Sequence, residues 1–281
     1  MGSGRWSTDV YAAAEHYRAA TGQSAFAYSD SGARRVHAAL DPRDVFMREC
    51  RDSDEHPAST PIVVMFDVTG SMRHVPRVLQ AELPQLLGRL TQQGRVTDPQ
   101  IMFGAIGDAT CDRVPLQVGQ FESDNRMDED LSRIVLEGGG GGGKRESYEL
   151  AMYFLARHVV TDSMVQRQKK GFLFLIGDEM PYQQVKPDEV GAVIGDDLRQ
   201  PIPTREILAE LRRKFEVFFI LPTAASHGGD RQVLRTWRDL LGQNVLELDD
   251  LADICETIAR QVASSDDEPR RPQLSLTARR W

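Results

Sequence analysis

The sequence predicts an α/β fold: a doubly wound, mainly parallel sheet with one antiparallel edge strand and helices on both faces. Two observations carry this. Short apolar runs at Pro61–Phe66, Ile101–Ile106, Gly171–Ile176 and Glu216–Leu221 are rich in β-branched and aromatic residues and lack polar alternation. Strands of that kind are buried on both faces, the condition of parallel strands covered by helices. Between the runs lie stretches with apolar residues at helical spacing. Strand–helix alternation with right-handed crossovers then gives a doubly wound sheet.

The elements follow in order. Ser7–Ala20 reads as a helix, and Val36–Arg51 has room for a short helix and a strand. The charged segment Arg51–His56 leads into the first core strand. Val75 to Leu90 is amphipathic, with Leu79, Leu83, Leu86, Leu87 and Leu90 near helical spacing, and Pro84 should bend or break it. Leu116–Phe121 alternates and suits an edge strand. A short acidic helix is expected over Met127–Leu136. Six glycines, Gly138–Gly143, precede a helix expected from Glu146 to Val159. Further on come a helix over Thr204–Lys214 with Thr204 and Glu206 at its start, a helix over Asp230–Leu241, a strand over Val245–Leu248 and a last helix over Leu251–Ala263. Residues 1–59 form an N-terminal extension, 60–264 the α/β domain, and 265–281 a polar tail expected to be disordered.

Composition narrows the function. The chain has 281 residues, 41% of them hydrophobic, and a formal charge of −8, which disfavours general nucleic-acid binding. Cys50, Cys111 and Cys255 form no Cys-x-x-Cys pair, arguing against a disulfide framework and against zinc. No apolar run reaches about 18 residues and no signal-peptide pattern is seen, so a cytoplasmic protein with no membrane association is expected.

The first core strand empties into Asp67-Val68-Thr69-Gly70-Ser71, one carboxylate and two hydroxyls at alternate positions of a single turn. Oxygen donors of this kind suit hard divalent cations. In an open α/β sheet, ligands gather beyond the carboxyl ends of the strands. Gly107-Asp108 with Thr110 and Asp112, the glycine run with Glu146-Ser147, and Asp178-Glu179 all fall at that end. The same residues also have ordinary turn roles: Asp67, Thr69 and Asp108 can satisfy backbone groups, and Glu146 and Ser147 can complement or cap a helix start. The glycine run is not a Walker loop, because no Gly-Lys-Ser/Thr follows it.

Asp67-x-Thr69-Gly70-Ser71 is similar to the Asp-x-Ser/Thr-x-Ser signature of von Willebrand factor type A (vWA) domains, which carry a metal-ion-dependent adhesion site. Asp178, after a later apolar strand, resembles that family's later aspartate. The resemblance spans roughly Pro61 to Ser264 and implies a Rossmann-like fold. It also implies that Thr69 and Ser71 ligate Mg²⁺, with Mn²⁺ or Ca²⁺ as alternatives, while Asp67 and Asp178 act largely through coordinated water. One position would stay open for a carboxylate of a protein partner. The loop that usually supplies a threonine has none here, and Glu146 is the preferred substitute, with Ser147 second. The implied role is a non-enzymatic interaction or adaptor module. Two other readings compete. Asp67-Val-Thr-Gly-Ser71 also resembles the Asp-Lys-Thr-Gly-Thr signature of haloacid dehalogenase-like phosphoryl-transfer enzymes, with Asp67 as nucleophile. The alternative is an interaction domain that binds no metal.

Overall fold

In the computed structural model, which describes residues 4–22, 24, 26–92, 96–139 and 142–266, six strands share one sheet. They are β1 (Thr60–Asp67), β2 (Pro99–Ile106), β3 (Leu116–Val118), β4 (Gly171–Ile176), β5 (Phe215–Pro222) and β6 (Val245–Leu248). Their spatial order is β6-β5-β4-β1-β2-β3. Neighbours pair in parallel except β3, which runs antiparallel to β2 at the edge. The main helices are α1 (Thr8–Thr21), α2 (Val75–Glu82), α3 (Gln85–Gln92), α4 (Arg126–Arg133), α5 (Tyr148–Arg157), α6 (Thr204–Leu211), α7 (Arg231–Leu241) and α8 (Ile254–Asp266).

Every residue of β1 is buried. Successive strand side chains point to opposite faces, and they divide accordingly between two hydrophobic clusters. Ile62, Val64 and Phe66 join Leu79 of α2, Leu86 of α3 and Ile258 of α8. Val63 and Met65 join Phe154 of α5, Ile207 of α6 and Trp237 of α7. The apolar runs lack alternation because each face has its own cluster to fill. Pro84 sits in the break between α2 and α3, where its missing N–H cannot continue the helical ladder. Asp230 caps α7, its Oδ1 accepting from the N–H groups of Gln232 (2.7 Å) and Val233 (3.2 Å).

The N-terminal extension is tied to the domain. Trp6 packs against the first cluster, the Gly4 carbonyl lies 2.8 Å from His56 Nε2, and Arg18 Nη1 pairs with Asp128 Oδ2 at 2.7 Å. Asp52 accepts from Ser59 N–H (2.9 Å) and Ser59 Oγ (2.6 Å) and pairs with Arg167, which fixes the approach to β1.

Some expectations need correction. No helix forms within 36–51. Asp41 Oδ1 takes the Arg43 N–H at 2.9 Å in an Asx-type turn around Pro42, and only a strand, Arg48–Cys50, forms, in parallel with Val159–Thr161. Thr204 does not cap α6; its hydroxyl donates to the Tyr182 carbonyl at 2.6 Å. Helix α8 runs on to Asp266, and the rest of the expected tail, from 267, lies outside the described residues. No described helix is long and apolar enough to cross a membrane.

Phe174 of β4 is fully buried and stacks on Phe218 at 5.1 Å, whereas Phe46 is 88% exposed. Phe174→Ala should lower the free energy of unfolding by about 3–5 kcal/mol, and Phe46→Ala should change it by no more than about 0.5 kcal/mol. Urea denaturation of the two variants checks the contrast.

Candidate functional site

The strand order reverses between β1 and β4. An open sheet leaves a crevice beyond the carboxyl ends of two such strands. Phe66 pairs with Ile176, so Asp67 and the segment Gly177-Asp178 emerge side by side. Asp67 follows Val63 and Met65 in strand parity, which turns its side chain toward the cluster that contains Tyr148.

Asp67 is fully buried and held by three donors. Its Oδ1 accepts from the Thr69 N–H (2.8 Å) and the Thr69 hydroxyl (2.6 Å), and its Oδ2 accepts from the Tyr148 hydroxyl (3.0 Å). Ser71, half-buried in the short 3₁₀ segment Gly70–Met72, donates its hydroxyl to Asp178 Oδ1 at 2.6 Å. Asp178 Oδ2 takes the backbone N–H of His227 at 2.8 Å. Both hydroxyl protons thus point at carboxylates. The two hydroxyl oxygens lie 3.3 Å apart with lone pairs still free. Adjacent oxygens on an octahedral ion with bonds of 2.0–2.1 Å would be about 2.9 Å apart, so this pair needs little adjustment to hold a cation.

Glu146 does not begin a helix. It lies in a two-residue strand, Arg145–Glu146, paired with Met180–Pro181, which brings it beside Glu179. It is 2% exposed, shares a hydrogen bond with Glu179, and its Oε2 has no partner among the described residues. Burial, then the nearby Asp67 and the bond to Glu179, push the Glu146 carboxyl up to about 12. Asp67 is pushed up to about 7, mainly by burial and further by Asp178 and Glu179, against the lowering effect of the Thr69 bonds. Burial also raises Glu179, whose Oε1 lies 3.5 Å from His227 Nε2.

Asp67, Glu146, Asp178 and Glu179 therefore gather with no Lys or Arg ion pair among the described residues. That donor set fits a divalent cation. The ion would depend on the hydroxyls, because no three His, Cys, Asp or Glu side chains among the described residues are grouped to hold a metal by themselves.

Ser147 is placed differently. Its hydroxyl accepts from the Ala109 N–H (2.9 Å) and its N–H donates to the Gly107 carbonyl (3.1 Å), joining α5 to the loop after β2. In that loop Asp108 Oδ1 accepts from Thr110 N–H (2.9 Å), Thr110 hydroxyl (2.8 Å) and Tyr182 hydroxyl (3.1 Å), the turn role available to it from sequence.

Two glycines are sterically required. Gly70 N–H donates to the Gly139 carbonyl at 2.6 Å, and a Cβ on Gly70 would stand 2.7 Å from that oxygen. A Cβ on Gly177 would stand 1.9 Å from the Tyr148 hydroxyl oxygen. The start of the glycine run thus packs on the Asp67–Ser71 loop, while Gly140 and Gly141 lie outside the described residues. Sequence reasoning missed Tyr148, Gly177 and His227. An aromatic at the start of a helix carries no signal that separates it from a packing residue, and His227 enters through its backbone.

The phosphoryl-transfer reading has no lysine motif before Asp178, only the pair ahead of the strand. Lys169 and Lys170 precede β4 at the end opposite Asp178, about 20 Å away along six strand residues.

No family model and no curated protein matches this sequence. Among solved structures, the fold is similar to the open conformation of the pilus adhesin SpaC from Lactobacillus rhamnosus GG. The TM-score is 0.52 at 9% identity, over 78% of this chain and 31% of the adhesin. A second similarity is to proximal thread matrix protein 1 from the mussel byssus, with TM-score 0.47 and 12% identity over 76% of this chain and 48% of that one. At such identities the likeness concerns the fold alone, and the chain spans under half the length of either protein.

The raised Asp67 has a measurable consequence. Between its ordinary value, near 3.8, and about 7, the folded state holds a proton that the unfolded state has released. Stability therefore falls as pH rises through that window. In chelator, urea unfolding curves of wild type and Asp67→Asn should diverge from about pH 4 to about pH 7, the wild type losing more. Parallel curves would contradict the burial argument.

Proposed function

We propose that this chain is a vWA-type domain, doubly wound, whose adhesion-type site binds Mg²⁺ and which serves as a protein-interaction adaptor rather than an enzyme. One observation carries the reading: two hydroxyls lie 3.3 Å apart at the switch point of the sheet, each with its proton turned onto a separate buried carboxylate. Thr69 and Ser71 would hold the ion, and Asp67 and Asp178 would orient them. Glu146, whose Oε2 has no partner among the described residues, would stand where the family's loop threonine acts. When bound, the ion supplies a focused positive charge for an oxygen ligand of a partner, a carboxylate in the simplest case. Mn²⁺ and Ca²⁺ are the alternative occupants. Three free thiols suit a reducing, cytoplasmic setting.

The second reading, an interaction domain without metal, is favoured by the lack, among the described residues, of any three His, Cys, Asp or Glu side chains grouped to hold a metal. Thermal unfolding separates the two. With free Mg²⁺ at 100 times the dissociation constant, binding linkage should stabilise the wild type by about 2.7 kcal/mol over chelator. Ser71→Ala should lose that gain. Equal stability of the wild type in saturating Mg²⁺ and in chelator would leave the metal-free reading.

A further inference from the structure

Tyr148 is the first residue of α5 and is fully buried. Its hydroxyl gives Asp67 its third hydrogen bond, on Oδ2, while Thr69 occupies Oδ1 twice. The phenol is held well above its ordinary pKa by burial and by the carboxylates of Asp67, Asp178, Glu146 and Glu179, so it remains a neutral donor. An aromatic block fixes the ring. Tyr148 meets Trp237 edge-on at 5.2 Å and 90°, and Phe219 at 6.0 Å and 80°; Phe219 and Trp237 stack at 3.9 Å. Trp237 Nε1 donates to the Glu179 carbonyl at 2.8 Å, so the same block holds the backbone next to Asp178. Gly177 leaves the space for the phenol.

We infer that Tyr148 is a positioning residue for the cation site: its hydroxyl locks the Asp67 carboxylate so that the Thr69 hydroxyl presents its lone pairs to the ion. The inference rests on the Mg²⁺ reading above. Thr69 can keep its proton on Oδ1 only while the carboxylate plane stays fixed. Thr69 lies on the same turn as Asp67 and moves with it, whereas Tyr148 holds Oδ2 from a different element with a ring that cannot turn. Residues that orient metal ligands in this way typically change metal affinity 10–100-fold.

The test is Mg²⁺ titration of the full chain by calorimetry, for wild type, Tyr148→Phe, Gly177→Ala, Ser71→Ala and Phe219→Leu. Tyr148→Phe keeps the ring and removes only the donor. Its dissociation constant should rise at least about tenfold, because the Asp67 carboxylate has lost the bond that holds Oδ2. Gly177→Ala, which displaces the phenol, should act in the same direction and serves if Tyr148→Phe fails to fold. Phe219→Leu loosens the aromatic block without removing the Tyr148 donor and should leave the Mg²⁺ affinity near that of the wild type. Wild-type affinity in Tyr148→Phe, with binding lost in Ser71→Ala, overturns the inference and leaves the site standing. Matching losses of affinity in Tyr148→Phe and Phe219→Leu make Tyr148 a packing residue and overturn it too. Absence of Mg²⁺ binding by the wild type overturns both the inference and the site.

Discussion

Burial of four carboxyl groups at one end of a parallel sheet, with no lysine or arginine paired to them among the described residues, is the constraint that organises this molecule. Isolated buried carboxylates are too costly to remain both ionised and unpartnered. The donors around them are placed to meet that cost. Thr69 gives a backbone and a side-chain bond to Asp67, Ser71 and the His227 backbone serve Asp178, and the Tyr148 phenol takes the last strong position on Asp67. Burial and neighbouring carboxylates push both Glu146 and Glu179 upward, and one Glu146 oxygen has no partner among the described residues.

The sheet makes this arrangement possible. Parallel strands end together, and the reversal of strand order sets Asp67 directly beside Gly177 and Asp178. Strand parity does the rest: Asp67 shares a face with Val63 and Met65, and so meets the helix that begins at Tyr148. Two glycines, far apart in sequence, release the space. Gly70 lets the motif loop dock on the glycine run, and Gly177 lets a phenol approach a strand end.

Much of this was legible in the sequence, for physical reasons. A strand apolar on both faces cannot sit at a solvated surface, so the inner strands were visible as unbroken runs, and Pro84 marked its own helix break. Asp67, Thr69 and Ser71 were visible because all three lie within one turn. What escaped depends on tertiary pairing. Glu146 reads as the start of a helix because nothing local shows that Met180–Pro181 will pair with it. Ser147 reads as a cap or a ligand, yet its oxygen is used by Ala109 from the loop after β2. Tyr148 looks like any core aromatic, and only the fold shows its hydroxyl on Asp67. The turn around Pro42 likewise replaced a helix that composition allowed.

The N-terminal extension bears on where this domain begins. Its Gly4 carbonyl lies against His56 Nε2 and accepts the Ser123 hydroxyl at 2.7 Å, Ser7 and Asn125 exchange two hydrogen bonds at 3.0 Å, and Ser29 accepts the Leu136 N–H. These ties reach the two segments flanking α4 and the approach to β1. A fragment cut at the first core strand would uncover apolar surface now covered by Trp6 and strand Asp128 without Arg18. Truncation at the first core strand would therefore break ties on both sides of α4 as well as at the approach to β1.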